Sequence, residues 1–162
     1  MIMLACGALL AFALAGCSLL PRGGQSESSA SSTLSHIIGV EAAMVSSWGR
    51  INGLRWETST DVRLHLRSGY QVSDPQRVRD YLMRVACSVN ETRPTGSVFI
   101  RLESPDGVAF DSRWEDDWSQ YGVDGQQRLL SIVFPGEMER KLGRWPCDVP
   151  PTPRGLFLNT AG

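Results

Sequence analysis

Carboxylates are densest at Asp111, Glu115, Asp116 and Asp117. Hard cations take oxygen ligands, so such a set is a candidate calcium site. Its spacing matches no EF-hand loop, and acids near a helix start are favoured by the helix dipole alone. The solvated-face reading is preferred, and no metal or cofactor is expected. Trp114 and Trp118 thread through the same cluster. Tryptophan is common at binding hot spots, whereas their i, i+4 spacing also fits simple packing of a short helix. The two are kept as a candidate interaction surface together with Arg63 and Arg67. Those arginines could join Arg77, Arg79 and Arg84 where a strand meets a helix, a set able to recognise an anionic polymer or phospholipid headgroups. Asp61, Asp74 and Asp80 dilute that patch. His36 and His65 are the only histidines. One sits near the start of the folded region and the other on an outer strand face, so they make no metal site. No G-x-S-x-G, H-E-x-x-H or P-loop occurs, and no catalytic residue is assigned.

The chain opens with an apolar run from Ile2 to Leu14 and continues Leu14-Ala15-Gly16-Cys17. This ending resembles a bacterial lipobox, the processing signal of envelope lipoproteins. The resemblance implies cleavage between Gly16 and Cys17, with Cys17 becoming the lipidated first residue. Small side chains suit a peptidase cleft, and a thiol can carry a diacylglyceryl group through a thioether. Two acyl chains give stable anchoring where one is marginal. The run is shorter than the roughly 20 apolar residues a membrane span needs. The implied address is the cell membrane, lipid-anchored and facing the extracytoplasmic side. No Lys or Arg precedes Arg22, although signal peptides carry a basic start; a start codon upstream of Met1 is the expected explanation. Lys141 is the only lysine among 16 basic residues. That bias suggests a GC-rich genome such as an actinobacterium's.

Four cysteines become two once Cys6 leaves with the signal and Cys17 is alkylated. Disulfides persist outside the cytosol, so Cys87 and Cys147 are expected to pair. Neither belongs to a C-x-x-C motif, which argues against redox catalysis. The net charge is −1. Nothing resembles the basic stripe of a nucleic-acid binder, so nucleic acid is excluded as a partner.

The organisation expected is a signal over 1–16, a lipidated Cys and flexible Ser/Gly-rich tether over 17–35, a folded domain over 36–149, and a Pro-rich irregular tail over 150–162. Within the domain, 37–48 reads as a strand and Asn52-Gly53 as a hairpin turn. Val62, Leu64 and Leu66 alternate with Arg63, His65 and Arg67, a strand with one buried face. Asp74-Pro75 is a cap followed by a first-turn proline. It opens a helix whose Val78, Tyr81, Leu82, Val85 and Val89 share one face, with Cys87 on the outer side. Val98, Ile100 and Leu102 make a third strand. Trp114, Trp118 and Tyr121 suggest a short helix stopped by Gly122. Residues 128–134 make a fourth strand, and 137–142 a final helical turn or two closed by Gly143. The expected class is α+β: one small domain with a four-stranded, largely antiparallel sheet and one main helix on one face.

Anchor, tether and the missing catalytic motif favour a non-catalytic interaction or adaptor module. It would contact the membrane through the lipid on Cys17 and could bind an envelope protein. A cell-wall enzyme would need convergent titratable groups in a cleft. A small-molecule-binding lipoprotein would need a pocket of at least roughly 300 Å³.

Overall fold

The alternation at Val62, Leu64 and Leu66 sets the architecture, because all three side chains are buried on one side of a strand. The computed structural model describes residues 24–106, 120–124 and 128–160. In chain order the elements are α1 (Glu27–Ser35), β1 (Val40–Asn52), β2 (Arg55–Leu66), β3 (Tyr70–Val72), α2 (Pro75–Ser88), β4 (Val98–Glu103), β5 (Gln120–Asp124), β6 (Arg128–Val133), α3 (Pro135–Leu142) and β7 (Phe157–Asn159). A five-stranded sheet runs β1-β2-β4-β6-β5, and β3 pairs with β7 separately. Among the described strands of this sheet, β2 and β4 pair in parallel, joined by the α2 crossover, and the other pairings are antiparallel. Parallel neighbours need such a crossover, whereas antiparallel ones can be joined by hairpins. The class is α+β with a largely antiparallel sheet.

The fifth strand departs from expectation. Tyr121 and Gly122 lie in β5, paired with β6 through Gln120↔Ser131 and Val123↔Leu129, and do not end a helix. Trp114 and Trp118, the other aromatics of that expected helix, lie outside the described residues. The β1–β2 hairpin forms as expected, one residue out of phase. Asn52 pairs with Arg55, leaving Gly53 and Leu54 as the turn, and Gly53 alone takes the positive φ, 62°. Glycine at the first central position is what a type II′ turn requires.

α2 starts as its sequence dictates. The Asp74 side chain accepts from the Arg77 N–H, and Pro75 fills the first turn. Val78, Tyr81, Leu82, Val85 and Val89 join Val62, Leu64, Ile100 and Leu102 in one apolar core. Cys87, expected on the outer side, is fully buried, as are Met83, Ala86 and Arg79. The reason is a second layer behind the helix. Cys147 is disulfide-bonded to Cys87, with 5.2 Å between their Cα atoms, and its N–H donates to the Cys87 carbonyl. Trp145 and Leu156 are buried in the same core. Desolvation pulls the Arg79 guanidinium below its usual pKa, and the charges of Asp80 and Glu137 offset part of that.

Residues at both ends of the described region are more ordered than their composition suggests. Residues 27–35, expected within a flexible tether, form α1. Ser26 caps it through the Ser29 N–H, and Ala30 and Leu34, one turn apart, are buried. The helix covers the free edge of β1: the Val45 N–H donates to Ser31 Oγ and the Ser47 N–H to Glu27 Oε1, each at 2.8 Å. An exposed sheet edge invites pairing with another chain, and serine and glutamate side chains block it here. The tail over 150–162 is likewise not wholly irregular. β7 pairs with β3, Leu156 and Phe157 are buried, and Ser73 Oγ donates to the carbonyls of Gly155 and Leu156. The fold thus begins by Gln25, whose N–H donates to the Ser88 carbonyl, and runs to Thr160, whose N–H donates to the Gly69 carbonyl. Among the described residues no helix is long and apolar enough to cross a membrane.

Replacing both Cys87 and Cys147 by Ser is expected to lower the unfolding free energy by about 4 kcal/mol, the closure entropy for a separation of 60 residues. Urea midpoints without reductant check this. Leu34→Ala should cost about 3 kcal/mol, the usual loss for a buried leucine. A segment acting as a tether would show no change in the same assay.

Candidate functional site

The residues that alternate with the core stripe form the second face of the sheet, turned away from α2. β2 contributes Asp61, Arg63 and His65, and β4 sets Phe99, Arg101 and Glu103 directly beside them. β1 adds Met44, Ser46 and Trp48 opposite Arg63, Asp61 and Ser59. Asp61 is the centre. Its Oδ2 accepts from Arg63 Nη2 at 3.1 Å and pairs with Arg101 Nη1 at 3.4 Å. The Asp61 side chain is 7% exposed, and those of Arg63 and Arg101 are 29% and 30% exposed. Asp61 Oδ1 and Arg63 Nε are buried with no hydrogen-bond partner among the described residues. His65 Nδ1 lies 3.1 Å from Glu103 Oε2. Trp48 stacks on Phe99 with ring centroids 5.9 Å apart, and Arg50 and Arg101 lie over those two rings. One carboxylate between two guanidiniums, with Glu103 beside His65, makes a mixed-charge surface next to a half-exposed aromatic pair. Such a surface suits an acidic or hydrogen-bonding partner group, since a guanidinium offers a fixed fork of donors.

The arginines named from the sequence do not gather. Arg63 faces away from α2 because it alternates with Val62 and Leu64. Arg67 Nε donates to the Val40 carbonyl at the end of the sheet. Arg77 and Arg84 are exposed on α2, whereas Arg79 is buried beneath it. Of the candidate surface, Arg63 stands on the second face, and Trp114 and Trp118 lie outside the described residues, as do Gly16 and Cys17. Cys87 and Cys147 form the structural crosslink. Among the described residues no three His, Cys, Asp or Glu side chains converge as a metal site.

Two further features escaped the sequence reading. A half-open groove of about 410 Å³ lies between His36–Ile38 and Thr152–Phe157. Only contacts between distant segments could reveal it. The other is the far end of the β1–β2 hairpin. Trp48 and Trp56 are 37% and 63% exposed, and Ile51 and Leu54 are 74% and 105% exposed. The signal was present: apolar residues on both sides of a turn, in strands that outrun their neighbours. The pairing of β2 with β4 begins only at Thr60, so the distal hairpin has no third strand to bury it.

Comparisons of the chain with protein families, with curated proteins and with solved structures find no match.

Asp61→Asn removes the charge that Arg63 and Arg101 share. The expected cost is about 2 kcal/mol, because two partly buried cations lose their counter-charge. Arg63→Ala should cost less, since its side chain is more exposed and solvent screens it. Denaturant unfolding of the two variants measures the difference.

Proposed function

We propose that the chain is a lipid-anchored envelope protein whose domain is a non-catalytic recognition module for an envelope protein partner. The observation that carries the anchor is the apolar run ending in Leu14-Ala15-Gly16-Cys17. The Cys87–Cys147 disulfide supports it, because such bonds persist in oxidising compartments. The second face supports the recognition role. Its charged groups are held in mutual ion pairs, so the mixed-charge and aromatic surface stays fixed in shape. A preformed surface binds with less loss of side-chain freedom.

A second reading, a small-molecule-binding lipoprotein, is favoured by the groove at His36, Ile38 and Arg154. Its volume of about 410 Å³ falls within the range of ligand pockets, roughly 300–1,000 Å³.

A photoreactive amino acid placed at Met44, an exposed position beside Arg63, tests the leading reading in intact cells. Mass spectrometry of the recovered protein should find a diacylglyceryl group on Cys17 as first residue, with a recurrent polypeptide adduct at position 44. An unmodified Cys17 would refute the anchor. A lipidated protein without a polypeptide adduct would refute the recognition module and shift weight to the groove.

A further inference from the structure

We infer that the distal β1–β2 hairpin, residues 48–57, is a second contact with the bilayer that holds Cys17. This rests on the lipid-anchor reading above. The first ground is the shape of the arm. Beyond Thr58, whose N–H and carbonyl are bonded by Thr95 and Gly96, the hairpin is a two-stranded ribbon with no neighbouring strand. From Gly49, opposite Thr58, to Asn52 it projects about 10 Å, at a rise of roughly 3.3 Å per residue. Its end carries Ile51, Leu54 and Trp56, all exposed, and Trp48 stands at its base. An apolar end on a projecting arm cannot be buried by its own sheet and marks a contact site.

The second ground is position. α1 runs beside β1 so that Glu27, at its start, hydrogen-bonds the Ser47 N–H. Asn90 Nδ2 donates to Glu27 Oε1 and to Ser47 Oγ, and the Asn90 N–H donates to the Gln25 carbonyl. The chain therefore enters the fold at the end from which the arm projects. Seven residue steps separate Cys17 from Gly24. They span at most about 24 Å when fully extended. A membrane anchored at Cys17 is thus within reach of an arm about 10 Å long.

The third ground is chemistry. Tryptophan concentrates at membrane interfaces, where its ring is apolar and its N–H stays wet. Arg50 and Arg55 suit anionic headgroups. Arg50 bonds Glu57 and lies over Trp48, while Asn52 Nδ2 donates to the other Glu57 oxygen. The Trp56 ring lies across Gly49, where a Cβ would collide with it. These contacts present the aromatic groups in a fixed arrangement. The opposite end of the fold, with Ile38 and the groove, points away from the entry of the chain.

The test places a photoreactive amino acid at Leu54 or at Ile38 in the full chain, in native membranes, with mass spectrometry of Cys17 from the same sample. Both positions are highly exposed, so neither replacement disturbs the core. The expected result is a phospholipid adduct at position 54 and its loss at position 38. With Cys17 lipidated, a polypeptide adduct, equal labelling at both positions or no adduct at position 54 overturns the membrane contact and leaves the anchor standing. An unmodified Cys17 overturns the anchor and the contact together.

Discussion

Everything else in this domain follows from the need to enclose α2. One flank of the helix packs on the core face of the sheet, where Val62, Leu64, Ile100 and Leu102 receive it. That would suffice for an ordinary amphipathic helix. Here Met83, Ala86 and Cys87 are buried as well, together with Arg79. Their cover comes from α3, where Met138 is fully buried and Glu137 lies near Arg79, and from residues after it: Trp145, the disulfide at Cys147 and the Leu156 region. The fold therefore closes only when its C-terminal segment arrives. Fixing that segment late in the chain costs conformational entropy, and a covalent link across a separation of 60 residues offsets part of it. The buried Arg79 sits beneath the same layer. Its charge is tolerable only because the carboxylates of Asp80 and Glu137 lie near it.

Local signals were legible and non-local ones were not. The alternation at 62–66 and the Asp74-Pro75 start depend on a few adjacent residues, and both were read from the chain. α1 was missed because its sequence, ESSASSTLS, offers only Ala30 and Leu34 to the core. Its serines look like a linker until Ser31 is seen capping the edge of β1. β7 was missed because its partner, β3, lies more than eighty residues earlier. β5 was not legible because its ladder with β6 depends on a neighbour that the spacing of aromatics does not reveal.

The site shows the same division with one exception. That Arg63 and the α2 arginines cannot meet was already implicit in the sequence. Val62 and Leu64 face the helix, and successive strand residues point to opposite faces, so Arg63 must face the other way. The pairing of Asp61 with Arg101 was beyond reach, since it depends on the parallel register of β2 with β4. Exposure of Trp48 and Trp56 depended on a length mismatch: β1 and β2 have 13 and 12 residues, β4 has 6.

The ordered helix at the start of the fold changes how an anchored domain would behave. A flexible tether of eighteen residues has a mean reach of roughly 24 Å and lets the domain turn freely. With α1 folded by Glu27 and Gln25 bonded into the domain, an anchor at Cys17 would be joined to the fold by the seven steps up to Gly24, at most about 24 Å of chain. A link that short would restrict the domain's orientation and bring the hairpin arm to the membrane whenever the domain leaned toward it. Its apolar residues would then gain burial that water does not offer. The groove at His36 and Arg154, at the opposite end, would face away from that membrane. In an anchored chain, anchor length, hairpin length and the position of α1 would act as one constraint on which surface the domain presents.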